Sequence, residues 1–241
     1  MPVRFNINQA YNFYIQSGGK TNFSSSLKQV LRFMQNDANV NNAKEAAYFL
    51  ATAKSESDYS LQRWESDYLC GEKGVPYVGQ PCQKALDYYR SNKGGKSNYY
   101  TKGVDSTGTP YFGRGLIQLT NKYNYKTYGD LIGVDLVDKA DKAMIPKNSY
   151  KIATAYLNRK TFKHVNNGNL TQARKSVNGG TKGVDRTNAS YYRWLNVFQN
   201  QSVGFKYIFW TKRRRIYFGI MTALGLSVGT YFLYRAVKLT K

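Results

Sequence analysis

Residues 42–65 read NAKEAAYFLATAKSESDYSLQRWE, and this stretch predicts the central element of the fold. Four apolar side chains recur at steps of three and four residues: Ala46, Phe49, Leu50 and Ala53. That spacing is typical of one buried face of an α-helix. Glu56 continues the same face, seven residues after Phe49. A carboxyl group at the end of a buried face is partly removed from water, which favours the protonated form that a general acid requires.

A second carboxyl group, that of Glu65, follows nine residues after Glu56 in a polar segment between Arg63 and Asp67. One shielded carboxyl and one more hydrated carboxylate are the pair that hydrolysis of a glycosidic bond needs. The alternative is that Glu56 ends a helix beside an arginine and that Glu65 is an ordinary surface residue. This stretch alone leaves both interpretations open.

The rest of the first 200 residues also has mainly helical patterns. Helical spacing and helix-end signals predict further helices at residues 24–35, 82–90, 121–128, 149–159, 171–177 and 188–199. Residues 3–16 suit either a short helix or a strand, and residues 91–110 read as a long exposed loop. We therefore expect one mainly α domain over residues 1–201, with strands at most in small pieces.

The chain is strongly basic, with 36 Lys and Arg against 14 Asp and Glu, and a formal net charge of +22. Residues 202–241 contribute eight of the basic residues and none of the acidic ones, but the first 201 residues are also positive. A basic surface favours anionic partners: nucleic acid, anionic lipid or an acidic cell-wall polymer. Composition does not choose among them.

The chain has two cysteines, Cys70 and Cys82, which bracket a loop rich in Gly and Pro. A disulfide between them is one interpretation, and two free thiols in a reducing compartment are the other. The single histidine, His164, and the absence of a CxxC spacing argue against a zinc site and against a histidine-based triad. We expect no metal and no cofactor.

Residues 216–234, from Ile216 to Tyr234, form an uncharged run of 19 residues bounded by Arg215 and Arg235. This length, with tyrosines near the ends, predicts a single transmembrane helix. Gly225 and Gly229 form a GxxxG spacing, a weak indication of helix self-association. Residues 202–215 read as a basic juxtamembrane linker and residues 235–241 as a short basic tail.

The beginning of the chain, MPVRFNINQAYNFYIQSGG, has no basic segment followed by an apolar run, so we expect no secretory signal. The expected topology is therefore a C-terminal membrane anchor. The cluster KRRR at 212–215 suits anionic headgroups beside a membrane. Nucleic acid is the less favoured partner of this cluster, because basic clusters commonly flank membrane spans.

Three later segments connect these observations: GRGLIQLT at 113–120, NYKTYG at 124–129 and VNGG at 177–180. Together with Glu56 in YFLATAKSES and with Glu65, they resemble glycoside hydrolase family 19 over about residues 25–198. That family contains chitinases and phage or bacterial endolysins. The resemblance implies a lysozyme-like α-helical domain with a central cleft.

The resemblance also implies roles for individual residues. Glu56 matches the general acid, Glu65 matches the general base that activates water in an inverting reaction, and Thr120 matches a residue that helps to hold that water. Positions that match sugar contacts are Gln118, Tyr123, Asn124 and Asn178. Arg186 matches, loosely, the arginine that supports the acid. The sequence departs from the family at Ser55, where the family usually has His, and at Asp58 and Tyr59, where it usually has small residues.

The function expected from the sequence is a membrane-anchored glycosidase that cuts β-1,4 bonds between amino sugars of peptidoglycan. We expect no export signal, and we expect a membrane span near the C-terminus. Together these expectations suit a lytic enzyme carried on a membrane, such as the internal membrane of a virion. Two rivals stay open: a chitinase of the same family, and a non-catalytic structural membrane protein that uses a lysozyme-like domain to bind glycan or nucleic acid.

Overall fold

The computed structural model describes residues 3–65, 70, 82–90 and 103–200. Its regular elements are, in chain order, α1 (Ile7–Gln16), α2 (Ser24–Gln35), α3 (Ala43–Ser57), α4 (Gln83–Arg90), α5 (Lys122–Ile132), a 3₁₀ turn (Ala140–Met144), α6 (Pro146–Lys160), α7 (Phe162–Asn166), α8 (Leu170–Asn178) and α9 (184–200). Within these ranges the only β-type pairings are isolated bridges. The mainly α prediction is confirmed.

Helix α3 is the centre of the domain. The Asn42 side chain caps it by accepting a hydrogen bond from the Glu45 N–H at 3.0 Å. Every residue from Glu45 to Ala53 is buried, so the helix is enclosed on all sides rather than along one face. Its alanines allow neighbouring helices to approach closely. The helix ends at Asp58, which has the left-handed backbone conformation (φ 53°).

The other helices pack their apolar faces around α3. In α2 the buried residues are those of the predicted helical period: Leu27, Val30, Leu31 and Met34. Helix α9 closes the domain with Trp194, whose ring stacks on Tyr14 with centroids 4.4 Å apart. The indole N–H of Trp194 donates to the Tyr59 hydroxyl at 2.9 Å. These contacts join both ends of the domain to the turn that follows α3.

A second, smaller apolar cluster lies beside Glu65. Its buried members are Trp64, Ala85, Phe112 and Met144. Cys70 and Cys82 form a disulfide and pack against this cluster. The cross-link ties α4 to the segment that carries Glu65.

The structure decides one open sequence prediction and leaves two others outside the described residues. Residues 7–16 form a helix, which decides between the two interpretations of the N-terminal segment. Most of the predicted loop at 91–110 and the whole predicted membrane span at 216–234 lie outside the described residues. Among the helices that are described, none combines the length and the apolar character that a membrane crossing needs.

Candidate active site

Glu56 lies in the last turn of α3 and forms an ion pair with Arg174 of α8. Arg174 Nη1 donates to Glu56 Oε1 at 2.5 Å, and the side chains of Arg174 and Glu56 are 9% and 19% exposed. The family resemblance assigns this role to Arg186, whereas the structure places Arg174 against Glu56. Arg186 is exposed near the start of α9, whereas α8 packs so that Arg174 faces the end of α3.

The VNGG turn holds Arg174 in position. Arg174 Nε donates to the carbonyl of Lys182 at 3.1 Å, and Asn178 Nδ2 donates to the same carbonyl at 3.1 Å. Asn178 Oδ1 in turn accepts from the Gly180 N–H at 3.0 Å. Gly179 ends α8 in the left-handed conformation (φ 76°), which favours glycine. The observed contacts of Asn178 are thus within the turn, and its sugar contact stays a prediction.

Glu65 is held by the backbone at the start of the GRGLIQLT segment. Its Oε2 accepts from the Gly113 N–H at 3.2 Å, and its own N–H donates to the Gly113 carbonyl at 2.7 Å. The Gly115 N–H donates to the Arg63 carbonyl at 2.6 Å. Residues 63–65 therefore lie antiparallel to residues 113–115, and this pairing fixes both the backbone and the carboxylate of Glu65.

Residues 114–119 form a tight turn that brings Gln118 and Thr120 against Gly113. Gln118 has a positive φ of 53°, and its Nε2 donates to the carbonyls of Arg63 and Gly115 at 3.2 and 2.9 Å. Thr120 Oγ1 donates to the Gln118 carbonyl at 2.8 Å. A Cβ on Gly113 would stand 3.1 Å from Gln118 Oε1 and 3.3 Å from Thr120 Oγ1. Glycine at 113 therefore lets Glu65, Gln118 and Thr120 share one small region.

Arg114, between the two glycines, stabilises this turn from inside the protein. It is 1% exposed, and its Nε donates to Asp141 at 2.7 Å. Its Nη1 donates to the carbonyls of Pro110 and Phe112 and to the Tyr125 hydroxyl, at 3.0, 3.2 and 2.9 Å. Burial raises the pKa of Tyr125 to about 12 although Arg114 opposes this, so the phenol keeps its proton and donates it to the Phe112 carbonyl.

One hydrogen bond joins the two halves of the site. Ser57, next to Glu56, donates its hydroxyl to the Leu116 carbonyl at 2.9 Å, and both residues are buried. The end of α3 is thereby attached to the turn that holds Glu65. Two carboxyl groups from separate segments, each with a specific partner, are the arrangement that acid–base hydrolysis requires.

A family model described as chitinase class I, of glycoside hydrolase family 19, matches residues 6–169, which is more than half of the chain. The chain belongs to glycoside hydrolase family 19. The prediction of a glycosidase is confirmed at this level, and so is the lysozyme-like helical fold.

Solved structures of chitinases have the same fold. Chitinase C from Streptomyces griseus HUT6037 has a TM-score of 0.53 and 19% identity, over 81% of this chain and 92% of that chain. A mutant of chitinase C has a TM-score of 0.51 and 18% identity over the same shares. In sequence, Chitinase 11 of Oryza sativa subsp. japonica is 62% identical over 32 residues, which span 13% of this chain and 12% of that protein.

The remaining family positions lie on α3, which carries Glu56, and on α5, which follows the GRGLIQLT turn. Asn124 Nδ2 donates to the Thr120 carbonyl at 2.9 Å, which attaches α5 to the turn. Tyr123, in the first turn of α5, is 76% exposed and presents its ring to solvent. Ser55, where family 19 usually has His, lies 2.9 Å from the Thr187 hydroxyl and joins α3 to α9.

Sequence reasoning missed two residues of this site. Arg174 was missed because α8 was identified only by its helix-end signal, which says nothing of which side faces α3. Arg114 was missed because the glycines on either side of it indicate only a tight backbone turn, and they say nothing about where the arginine side chain lies. An arginine between two glycines, followed by an apolar run, was the available signal, since an arginine in such a place needs internal partners.

Proposed function

We propose that this family 19 protein hydrolyses β-1,4 bonds between amino sugars by single displacement, with Glu56 as proton donor and Glu65 as base. The observation that carries the proposal is the pair of separately held carboxyl groups. Glu56 contacts Arg174, Glu65 contacts the Gly113 N–H, and the Ser57–Leu116 hydrogen bond connects the two segments. Inverting enzymes need such a pair on opposite sides of the scissile bond.

In the proposed reaction Glu56, which is a carboxylate in the ion pair with Arg174, first takes up a proton from solvent. It then passes this proton to the glycosidic oxygen while the bond to the anomeric carbon breaks. Arg174 then stabilises the Glu56 carboxylate that this transfer leaves, through a charge-assisted hydrogen bond. Glu65 accepts a proton from the water that attacks the anomeric carbon on the opposite side. The Gly113 N–H directs the Glu65 carboxylate, and the neighbouring Thr120 hydroxyl helps to orient the water.

The sugar chain is proposed to lie along the surface formed by the GRGLIQLT turn and α5. Gln118, Tyr123 and Asn124 are the contact residues, because they follow one another from the Gly113 region to the exposed start of α5. Aromatic rings with a few convergent amides suit a polar ligand with apolar faces. Asn178 and Arg186 are secondary candidates for sugar contact.

Peptidoglycan is the proposed polymer, because the chain has a formal net charge of +22 and peptidoglycan carries carboxylates. Chitin is the second candidate. It is favoured by the family description, chitinase class I, and by the names of the relatives, which are chitinases. The two candidates share the proposed chemistry and differ in the charge of the polymer.

The location is proposed from the sequence of residues 216–234, which would anchor the chain in a membrane, with the membrane of a virion as one such site. The test is fractionation of the full chain beside a variant that lacks residues 216–241. We expect only the full chain to stay with membranes after an alkaline wash. Equal release of both forms would contradict the anchor, and absence from purified particles would contradict the virion.

The function is tested with the full chain on purified peptidoglycan and on chitin. Wild type is expected to clear peptidoglycan and to release new reducing ends, and Glu56→Gln and Glu65→Gln are each expected to lower the rate by at least 10³-fold. Asp130→Asn is the matched control, because it removes an exposed carboxylate that pairs with Lys126 on the surface. It should keep the wild-type rate.

The other outcomes separate the rivals. Release of sugar from chitin without clearing of peptidoglycan would favour the chitinase. Binding without cleavage of either polymer, unchanged in Glu56→Gln, would favour the non-catalytic protein. Nucleic-acid binding would appear as affinity that falls steeply with salt and does not depend on Glu56.

A further inference from the structure

The domain has a large groove that shares no residue with the site described above. It has a volume of about 850 Å³ and runs along α6 between the end of α2 and the end of α5. The α6 residues that line this groove recur at steps of three and four residues, from Lys147 to Arg159. Twelve residues of helix correspond to a length of about 18 Å, which exceeds one monosaccharide.

The floor of the groove is aromatic. Phe33 of α2 and Tyr150 of α6 form a tilted pair with ring centroids 5.3 Å apart, and both line the groove. Asn36, Asn39 and Asn158 supply amide groups at its edges. Aromatic surface with a few amides is typical of a ligand site rather than of a solvent-filled crevice.

A buried hydroxyl group lies in the floor. Tyr150 is 4% exposed, and the polar groups that interact with its hydroxyl are the Asp37 carboxylate and the Thr154 side chain. Burial and that carboxylate raise the pKa of Tyr150 well above its usual value, so the phenol remains a donor at neutral pH. An oxygen atom of a ligand in the groove would offer this donor a further acceptor.

The rim of the groove is positive. Lys147, Lys151 and Arg159 are exposed along α6, whereas Asp37 is the only acidic residue of the lining. On a helix, residues four apart stand one above the other, so Lys147 and Lys151 present neighbouring charges. A neutral glycan would form no charge pairs with these cations, but a strand that carries carboxylates would.

We propose that this groove is a second binding site for a carboxylate-bearing strand of peptidoglycan, separate from the catalytic residues. The aromatic floor and the amides would contact the sugars, the Tyr150 hydroxyl would donate to a sugar oxygen, and the three cations would pair with carboxylates of the same strand. The choice of polymer rests on the proposed function. The site would keep the enzyme on an insoluble substrate between cleavage events.

The test measures binding of the full chain to purified peptidoglycan in a Glu56→Gln background, so that cleavage does not enter. Lys147→Glu with Lys151→Glu is expected to weaken binding at least tenfold at low salt, and Tyr150→Phe about threefold. The matched control is Lys44→Glu with Lys163→Glu, which makes the same change of charge at exposed positions outside the groove. It should weaken binding less than twofold.

Chitin serves as the uncharged polymer. The variant with Lys147→Glu and Lys151→Glu should bind chitin as tightly as the control variant does. On soluble oligosaccharide, the groove variants in an active background should keep wild-type kcat and KM, because the groove lies outside the catalytic residues. Binding of either groove variant to peptidoglycan at the level of the control overturns the proposal, and so does equal weakening on chitin. Failure of the proposed function would instead appear as absence of cleavage, with groove-dependent binding retained.

Discussion

Glu56 and Arg174 form an ion pair although 118 residues separate them in the chain. The contact exists because Arg174 lies on the side of α8 that packs towards the end of α3. The Lys182 carbonyl, just after the VNGG turn, accepts a hydrogen bond from Arg174 Nε and so fixes the guanidinium. Both side chains are mostly shielded from water, with exposures of 19% and 9%. The pair is therefore part of the structure as well as of the proposed chemistry.

Arg174→Ala should lower kcat at least 100-fold and reduce the free energy of unfolding by about 2 kcal/mol, because a largely buried charged hydrogen bond is lost. Arg174→Lys should recover part of the stability but little of the rate, since lysine lacks the planar guanidinium. Lys175→Ala, at an exposed position of the same helix, is the control and should behave like wild type, and Arg186→Ala should lower the rate less than Arg174→Ala does. The measurements are steady-state kinetics and denaturant unfolding, and a larger effect at 186 than at 174 would contradict this assignment.

Gly113→Ala should reduce kcat about tenfold, because the new methyl group would press on Gln118 and Thr120 and shift the groups beside Glu65. The backbone of Gly113 does not have a positive φ, so the change should act through these contacts and not through backbone strain. Thermal unfolding measured in parallel should change little. A decrease in thermal stability large enough to account for the lower kcat would indicate a general disruption of the fold instead.

Asp141→Asn should destabilise the domain by about 2 kcal/mol, because Arg114 is fully buried and would lose its charged partner. The rate should fall as well, since Arg114 also holds the carbonyls of Pro110 and Phe112 beside Gly113. Asp130→Asn, which removes a surface ion pair, should leave both stability and rate unchanged. Similar effects of the two variants would contradict a special role for the buried network.

Reduction of the Cys70–Cys82 disulfide should lower stability by about 3 kcal/mol, because the closed loop of 12 residues gains freedom in the unfolded chain. Activity should fall in parallel, since the cystine packs on the cluster of Trp64 and Phe112 beside Glu65. Unfolding and activity are measured with and without reductant. The double variant Cys70→Ser with Cys82→Ser should match the reduced protein and show no further response to reductant.

Asp105 should make stability depend on acidic pH. Burial alone would raise its pKa, but hydrogen bonds from Thr107, Thr109 and Ala140 outweigh burial and lower the pKa below the ordinary value of 3.8. A lowered pKa in the folded state means a stabilisation that is present above pH 3.8 and is lost as pH falls through the folded pKa. Wild type should lose stability over this interval, measured by denaturant unfolding, and Asp105→Asn should lose less.

The sequence by itself determined the fold class, and it indicated the two carboxyl groups of the proposed reaction. The three- and four-residue spacing in α2 and α3 identifies helices because one side of each must be apolar to pack, and Glu56 falls on that side by spacing alone. The segment GRGLIQLT indicates a tight turn through its glycines, and the family resemblance follows from the order of such local segments. These features depend on neighbours in the chain, which a sequence displays directly.

Only the tertiary structure decided which distant groups meet. The periodicity of α3 predicts one buried face, but every residue from Glu45 to Ala53 is buried because α6, α7 and α9 pack against the helix. Arg174 and Arg186 are both basic residues near glycines, and only the direction in which α8 packs selects Arg174 for Glu56. The pairing of Glu65 with Gly113 joins segments 48 residues apart. Such contacts depend on the relative rotation of packed helices, and residue spacing along one helix does not encode that rotation.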